Sequence, residues 1–260
     1  MSSLVKPWAL VTGASSGIGA EFARILAEMG YPVILVARRK DKLLALARSL
    51  EETQHVQTRV IVADLSESSA PAALWRELEQ NKLEVGILVN NAGFGDHGPF
   101  AASDWERTHQ MLQLNMVALT ALTRFALPGM LARKRGHILN VASTAAFQPG
   151  PGMATYFATK SFVLSFTEAL WSELRGTGVV ATTLCPGPTS SEFFDAAGMS
   201  GKKLAARGLP SSREVAAFGI KLAFAGQRTG IHGFANRLLA ATTRFLPRGL
   251  VLSATRKMLE

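Results

Sequence analysis

The fold of this chain is decided by the stretch Thr12-Gly13-Ala14-Ser15-Ser16-Gly17-Ile18-Gly19. It follows a short apolar run, residues 8–12, and leads into an amphipathic segment, residues 17–29. Glycines at a strand-to-helix turn let a pyrophosphate approach the backbone, and the helix N-terminus offers it free N–H groups. The alternative is a glycine-rich turn without a ligand, because the G-x-x-x-G-x-G spacing differs from the G-x-G-x-x-G of other dinucleotide folds.

Apolar runs of strand length alternate with amphipathic segments of helix length along residues 6–190. The runs are apolar on both faces, as a parallel sheet covered on both sides requires. The alternation predicts an α/β fold, a doubly wound parallel sheet of the Rossmann type flanked by helices. We expect strands at 8–12, 33–37, 56–63, 87–90, 136–142 and 179–185, and helices at 17–29, 40–52, 68–80, 103–132, 156–174 and 211–225.

The chain has 260 residues, of which 48% are hydrophobic and 18% charged. This composition excludes a disordered chain and a charged coiled coil. Cys185 is the single cysteine, so an intrachain disulfide and a thiolate metal cluster are excluded, and no His, Cys or Asp cluster has metal-ligand spacing. We expect a cytoplasmic protein, because no secretory signal is visible and no uninterrupted apolar run has the length of a membrane span.

The net charge of +9 lies entirely in the last quarter of the chain. Residues 1–195 hold 17 Lys and Arg against 17 Asp and Glu, whereas residues 196–260 hold 11 against two. We therefore divide the chain into a domain, residues 1–235, and a basic amphipathic extension, residues 236–260, which Pro247 should break. Such a segment has anionic partners: nucleic acid, acidic protein or anionic lipid.

The end of the second predicted strand indicates which dinucleotide is bound. An acid there contacts the ribose 2′-OH of NAD, whereas an arginine accommodates the 2′-phosphate of NADP. Here Arg38, Arg39 and Lys40 follow the strand, and no acid stands among them. Because a guanidinium binds phosphate with two parallel hydrogen bonds, we expect NADP(H), with a solvated basic turn as the alternative.

Tyr156 and Lys160 stand four residues apart near the start of a predicted helix, so they share one face. A nearby ammonium group favours the phenolate, so we expect Lys160 to lower the pKa of Tyr156 from its usual value of about 10. Ser143 follows the fifth strand, where its hydroxyl can bond a substrate oxygen, and Asn115 lies in the preceding long helix. A tyrosine and a lysine four residues apart are a weak signal alone, but the signal becomes strong in combination with the glycine turn and a serine at a strand end.

With these residues the sequence resembles the short-chain dehydrogenase/reductase family over residues 6–190. The resemblance is carried, in the family's order and spacing, by the glycine turn, Asp64, Asn90-Asn91-Ala92-Gly93, Asn115, Ser143, Tyr156 with Lys160, and Pro186-Gly187. It implies the doubly wound fold that the alternation predicts independently.

The resemblance also implies roles for individual residues. Tyr156 is implied as the general acid in carbonyl reduction and the base in the reverse direction, and Ser143 as the group that orients the substrate oxygen. Lys160 is implied to hold the nicotinamide ribose, and Asn115 a water that connects Lys160 to solvent. The remaining cofactor contacts that it implies are Gly13, Ser15, Ser16, Gly17, Ile18, Gly19, Arg38, Arg39, Asp64, Leu65, Asn90, Ala92, Gly93, Pro186, Gly187 and Thr189.

We expect an apolar ketone or aldehyde as the substrate. Phe94, Phe147, Phe193 and Phe194 lie near strand ends, where this architecture places its ligand crevice, and a substrate loop is expected at about 188–210. The alternatives are a 3-oxoacyl carrier reductase, whose basic extension contacts an acidic carrier protein, and a non-catalytic NADP-binding sensor or scaffold.

Three interpretations of residues 236–260 stay open: a lid over the site, a contact with a second subunit, and a peripheral contact with an anionic membrane. Nucleic acid is disfavoured, because the cations are interleaved with aliphatic residues. The resemblance implies a homo-oligomer, a dimer or tetramer, through helices at 103–132 and 155–175.

Overall fold

The computed structural model describes residues 6–190, 192–193, 197 and 208–259. Its elements in chain order are β1 Trp8–Thr12, α1 Gly17–Glu28, β2 Val33–Ala37, α2 Lys40–Gln54, β3 Thr58–Val62, α3 Ala70–Gln80, β4 Val85–Asn90, α4 Trp105–Leu112, α5 Leu119–Ala132, β5 Gly136–Val141, α6 Ala154–Glu173, β6 Val179–Cys185, α7 Ser212–Phe224, β7 Thr229–Ile231, α8 Phe234–Thr242 and α9 Arg248–Leu259. In these residues the strands form one parallel sheet in the order β3-β2-β1-β4-β5-β6-β7. The predicted doubly wound α/β fold is confirmed.

Alternate residues of the strands face two separate apolar layers. Val11 packs in a layer with Phe22 of α1, whereas its neighbour Leu10 packs in the opposite layer with Leu122 and Met130 of α5. Because helices cover both faces, the strands need apolar residues at odd and even positions alike. This arrangement explains why the strands appear in the sequence as continuous apolar runs.

The strand order reverses between β1 and β4, which pair with each other although two strands separate them in sequence. Connections leave this point toward opposite edges of the sheet, so a crevice opens at the carboxyl ends of the two strands. The glycine turn follows β1 at this edge and Asn91-Ala92-Gly93 follows β4. The fold therefore places the glycine turn on one wall of the crevice and Asn91-Ala92-Gly93 on the other.

The predicted helix 103–132 differs from the expectation in one respect. It is α4 and α5 joined by a π-helical stretch, Gln113–Ala118, whose wider turn contains Asn115. The prediction of one continuous α-helix was therefore wrong here, because a single π-helical turn barely changes the apolar periodicity of the sequence.

The whole stretch Trp105–Ala132 is long and apolar enough to cross a membrane, with a mean hydropathy of 1.3 and 39% of the relevant window buried. Buried core helices meet the same criterion, and α5 supplies Leu122 and Met130 to the core.

The C-terminal elements begin as the sequence predicts. Ser211 caps α7 through a capping box with Glu214, in which each side chain accepts the other residue's backbone N–H. The last strand is Thr229–Ile231, and Gly233, with φ +88°, precedes α8 immediately afterwards. Pro247 separates α8 from α9, as expected of a residue that cannot continue a helix.

Candidate active site

The glycine turn is tied to the end of β4 by Thr12. Its Oγ1 accepts the backbone N–H groups of Asn91 and Ala92, both at 3.0 Å, and donates to the carbonyl of Val89 at 3.3 Å. The Asn91 side-chain amide donates a hydrogen bond to the carbonyl of Thr12 at 3.0 Å. These bonds fix the two walls of the crevice relative to each other.

The glycines of the turn are required by backbone geometry. Gly13 and Gly17 have φ values of +68° and +55°, which side chains disfavour. A Cβ on Gly19 would lie 2.2 Å from the carbonyl oxygen of Gly13. Ser16 precedes α1 without a side-chain cap, and the first turn of α1 has no acid. This is a backbone cradle with a positive helix end, which fits a pyrophosphate.

Arg39 lies over the glycine turn. Its Nε and Nη2 donate to Ser15 Oγ at 3.1 and 3.0 Å, and Nη2 also donates to Ser16 Oγ at 2.6 Å. Arg38 forms a longer ion pair with Asp64, 3.5 Å from Nη1 to Oδ2. Both cations line the crevice, so this end of it carries the positive charge that a 2′-phosphate requires.

The sequence analysis missed Glu192, which lies opposite these cations. Its carboxylate accepts from Arg39 Nη1 at 2.6 Å and from Lys42 Nζ at 2.7 Å. The hydrogen bonds from Lys42 and Arg39 lower the pKa of Glu192 to about 2. About 150 residues of sequence separate Glu192 from Arg39 and Lys42, so no local sequence pattern predicted this contact. It joins the predicted substrate loop to the cofactor end of the crevice.

Tyr156, Ser143 and Lys160 meet deep in the crevice. Tyr156 is buried and hydrogen-bonded to the Ser143 side chain. Ser143 Oγ also accepts from the backbone N–H of Ala145 at 3.1 Å, which fixes its orientation. Lys160 is buried, donates to the carbonyl of Val141 at 2.9 Å and has its Nζ 5.8 Å from the Tyr156 ring centroid. Their spacing on α6 and the end of β5 thus places all three at one point.

The expectation that Lys160 lowers the pKa of Tyr156 is wrong for the chain alone. Burial raises the pKa of Tyr156 to about 12, against a smaller lowering by the hydrogen bond with Ser143. Burial also lowers the pKa of Lys160 to about 8. Desolvation disfavours the charged form of each group, and the Lys160 ammonium bonds the Val141 carbonyl rather than the phenol. At neutral pH the tyrosine is a neutral hydrogen-bond donor.

Asn115 lies behind the crevice wall rather than on it. Its Nδ2 donates to the carbonyl of Phe94 at 3.0 Å and to Thr159 Oγ1 at 3.1 Å, and its Oδ1 accepts the Phe94 N–H at 3.2 Å. A Cβ on Gly93 would lie 3.0 Å from Asn115 Oδ1 and 3.4 Å from Lys160 Nζ. The amide is therefore a close neighbour of the lysine, held there by the π-helical turn.

The crevice has a volume of about 530 Å³ and runs from Arg38 to the C-terminal helix. All the residues predicted to contact the cofactor line it except Asn90, whose side chain points into the core. Asn90 Nδ2 donates to Thr123 Oγ1 at 3.1 Å and to Asn140 Oδ1 at 2.9 Å. We therefore correct the prediction for Asn90, because the next residue, Asn91, lines the crevice instead.

The far end of the crevice is apolar. Phe94 and Phe193 line it, as expected, whereas Phe147 packs in a separate apolar cluster, and Phe194 and residues 198–207 of the substrate loop lie outside the described residues. Helices α8 and α9 also line the crevice, through Asn236, Leu239, Met258 and Leu259, a position that agrees with the lid interpretation of residues 236–260. Helix α9 is thus folded back onto the site beside Tyr156.

Cys185 is fully buried at the end of β6, as expected of a core residue. Burial raises the pKa of its thiol to about 12, so it is unreactive at neutral pH. Within the described ranges, no three His, Cys, Asp or Glu residues are grouped so that they can hold a metal ion.

Comparison with known proteins agrees with this geometry. A family model described as "short chain dehydrogenase" matches residues 7–199. The chain is 33% identical over 224 residues to hydroxysteroid dehydrogenase-like protein 1 of Gallus gallus, an alignment that covers 85% of this chain and 67% of that protein. It is 38% identical over 183 residues to the very-long-chain 3-oxoacyl-CoA reductase of Anas platyrhynchos, covering 69% of this chain and 58% of the relative.

Among solved structures, a short-chain dehydrogenase from Sphingobium yanoikuyae in complex with NADPH superimposes with a TM-score of 0.82 at 32% identity. That superposition covers 94% of each chain. The family model alone spans more than half of the sequence. The chain belongs to the short-chain dehydrogenase family.

Proposed function

We propose that the chain is an NADP(H)-dependent oxidoreductase that interconverts an alcohol and a carbonyl compound, acting chiefly to reduce an apolar ketone or aldehyde. One observation carries this proposal. A single crevice has a cationic end at Arg38 and Arg39, a buried tyrosine bonded to Ser143 at its centre and an apolar end beyond them. That order of surfaces matches a dinucleotide phosphate, a polarised carbonyl oxygen and an apolar substrate body.

The bound cofactor supplies or accepts the hydride, and the chain's own residues handle the proton. Tyr156 is protonated at neutral pH, so its Oη can donate to the oxygen of a carbonyl as that oxygen gains negative charge. Ser143 donates a second hydrogen bond to the same oxygen and fixes its position. In the reverse direction Tyr156 acts as the base.

Lys160 stabilises the phenolate that remains after proton donation. Its ammonium group lies close to the Tyr156 ring in a buried site, where a charge interaction is stronger than in water. We assign it contact with the nicotinamide ribose as well. Asn115 is a positioning residue: it holds the Phe94 backbone and Thr159, and its amide oxygen adjoins Lys160 at Gly93. A water between Asn115 and Lys160 would return the proton from solvent.

The cofactor contacts follow from the walls of the crevice. The glycine turn, Gly13 to Gly19, would hold the pyrophosphate, and Asp64 and Leu65 would contact the adenine. Ala92 and Gly93 would contact the ribose, while Pro186, Gly187 and Thr189 would hold the nicotinamide. The NADPH-bound structural relative supports the choice of NADP(H), and the cations at the end of β2 give the physical reason.

A 3-oxoacyl thioester is the second candidate substrate class. It is favoured by the similarity to very-long-chain 3-oxoacyl-CoA reductases, although the chain spans only 58% of the length of the Anas platyrhynchos relative. The basic extension would then contact the anionic carrier or CoA group. A non-catalytic sensor is disfavoured, because it needs NADP binding but not Ser143, Tyr156 and Lys160 brought together.

Turnover separates these candidates. NADPH oxidation is followed by absorbance with apolar ketones, aryl aldehydes, steroid ketones and 3-oxoacyl-CoA thioesters of increasing chain length. Oxidation with the free ketones or aldehydes at lower KM than with the thioesters supports the first proposal. A preference for thioesters supports the second. Tight NADPH binding without turnover of any class would favour the sensor.

We also propose a homo-oligomer, a dimer or tetramer, and a cytoplasmic location. Residues 1–235 would be the dehydrogenase domain and 236–260 its extension, with α4 to α6 forming the subunit contact. Light scattering on the purified chain tests the assembly, and a monomer at micromolar concentration would refute it.

A further inference from the structure

The outer side of α8, α9 and the turn between them is apolar and exposed. Phe245 is 85% exposed and Phe234 is 79% exposed. The tail surface, as we call it, contains six exposed large apolar side chains: Phe234, Leu238, Phe245, Leu246, Leu250 and Leu252. Isolated exposed apolar residues are ordinary, but these six and the exposed Leu239 all lie within nineteen consecutive positions, a concentration that marks an interaction site.

Cations are interleaved with these apolar residues. The exposed side chains of Arg237, Arg244, Arg248, Arg256 and Lys257 accompany them, and residues 234–259 contain no acid. Among the described residues none of the five forms an ion pair, whereas Arg213 and Arg228 nearby are both paired with glutamates. The tail surface therefore has five uncompensated charges within an apolar face.

This combination decides which partner the surface fits. In a two-fold contact between copies of the chain the same patch meets itself, so five cations would face five cations. A helix that contacts only water gains no stability from exposed phenylalanine side chains. An anionic bilayer satisfies both features, because its headgroups attract the cations while aromatic and leucine side chains enter the interface.

The inner side of the same two helices forms part of the site. Leu259 is only 3% exposed and packs in the apolar cluster that contains Tyr156 and Met153. Leu239 and Met258 line the crevice and are themselves partly exposed, so they connect its apolar end with the tail surface. A membrane that covers the tail surface would therefore adjoin the apolar end of the crevice.

We propose that the tail surface binds an anionic lipid bilayer and that the crevice receives its apolar carbonyl substrate from that membrane. The second half of this proposal rests on the proposed function. The substrate class it names is a membrane-partitioned lipid aldehyde or ketone. Binding places α8 and α9 on the lipid headgroups. The glycine turn of the same chain stays accessible to soluble NADP(H).

Co-sedimentation of the full chain with vesicles tests the binding. We expect pelleting with vesicles that contain phosphatidylglycerol, little with pure phosphatidylcholine, and release at high salt. The double variant Arg244→Glu/Arg248→Glu should bind more weakly by about thirtyfold or more. The loss of two cations at about 1 kcal/mol each, with tenfold per 1.4 kcal/mol, accounts for the thirtyfold, and repulsion of the two added carboxylates adds to it. Phe245→Ser should also weaken binding.

The matched control is Arg48→Glu/Arg76→Glu, which changes the net charge equally at two exposed arginines outside the tail. It should pellet like the unmodified chain. Pelleting of the Arg244 and Arg248 variant equal to the control would overturn the proposal, as would failure of the unmodified chain to pellet. Dissociation of an oligomer by Phe245→Ser, without any vesicle binding, would identify the occupant as a second copy and overturn it as well.

Two activity measurements separate this proposal from the proposed function. Reduction of a small water-soluble aldehyde without vesicles reports on the site alone and should be equal in the control and the tail variants. Reduction of a long-chain aldehyde held in the vesicles should be faster with anionic than with neutral vesicles, and the Arg244 and Arg248 variant should lose that gain. Absence of turnover with both substrates would refute the proposed function, whereas the pelleting result would stand separately.

Discussion

Replacing Arg39 by alanine should remove most of the preference for NADPH over NADH. The guanidinium already has a fixed orientation, because it donates to Ser15, Ser16 and Glu192 at distances of 2.6 to 3.1 Å. A side chain held in this way loses little conformational entropy when a phosphate binds. The substitution removes the cation from the cofactor end of the crevice without altering the backbone of the glycine turn.

The expected magnitude follows from the exposure of the group. A hydrogen bond to a charged group contributes about 1.5 to 3 kcal/mol, and partial exposure places this one near the lower end. The Arg39 side chain is 43% exposed, so we expect a loss of about 2 kcal/mol, or about thirtyfold in the Kd of NADPH. Arg38 is more exposed, so we expect it to account for the smaller part of the preference for NADPH over NADH.

Fluorescence titration with NADPH and NADH measures both dissociation constants. Arg39→Ala should weaken NADPH binding about thirtyfold and leave NADH within about twofold. Lys40→Ala is the matched control, since this neighbouring cation is exposed and does not line the crevice. Equal weakening of NADPH and NADH would refute the assignment, because it would mean that Arg39 supports the turn and does not contact the 2′-phosphate.

Three further predictions concern the same crevice. Glu192→Gln should tighten NADPH binding severalfold and leave NADH unchanged, because the carboxylate competes for Arg39; weaker NADPH binding would instead show that it positions the guanidinium. The kcat/KM for reduction should fall as pH rises through about 8, where buried Lys160 loses its proton and its charge, and a profile flat to pH 10 would contradict this. Gly19→Ala should abolish NADPH binding, since its Cβ would lie 2.2 Å from a backbone oxygen of the turn, and circular dichroism would check that the fold persists.

Most of the fold could be predicted from local pattern. Strands buried on both faces are continuous apolar runs, and Ser211 and Pro247 mark helix ends through chemistry that acts within a few residues. The π-helical turn at Asn115 was not predicted, because one wider turn barely changes the apolar periodicity. The tyrosine, serine and lysine were found because two of them share a helix face and the third follows a strand end.

The contacts that sequence reasoning missed are long-range ones. Glu192 meets Arg39 only because the chain returns from β6 across the crevice, and exposed glutamates carry no pattern that reveals such a partner. The same holds for Leu259, which reaches Tyr156 through the path of α9. The pKa of Tyr156 was misjudged for a related reason, since the depth of its burial is a property of the assembled fold.

The central claim is that Tyr156 donates the proton in carbonyl reduction, and a comparison of the chain's two tyrosines tests it most directly. NADPH oxidation is measured with the best substrate of the panel for Tyr156→Phe and for Tyr31→Phe, the latter a matched loss of one hydroxyl at a buried site far from the crevice. We predict that Tyr156→Phe lowers kcat by about 10²- to 10⁴-fold with NADPH binding retained, and that Tyr31→Phe leaves kcat within a few-fold. Equal kcat values for the two variants would contradict the account.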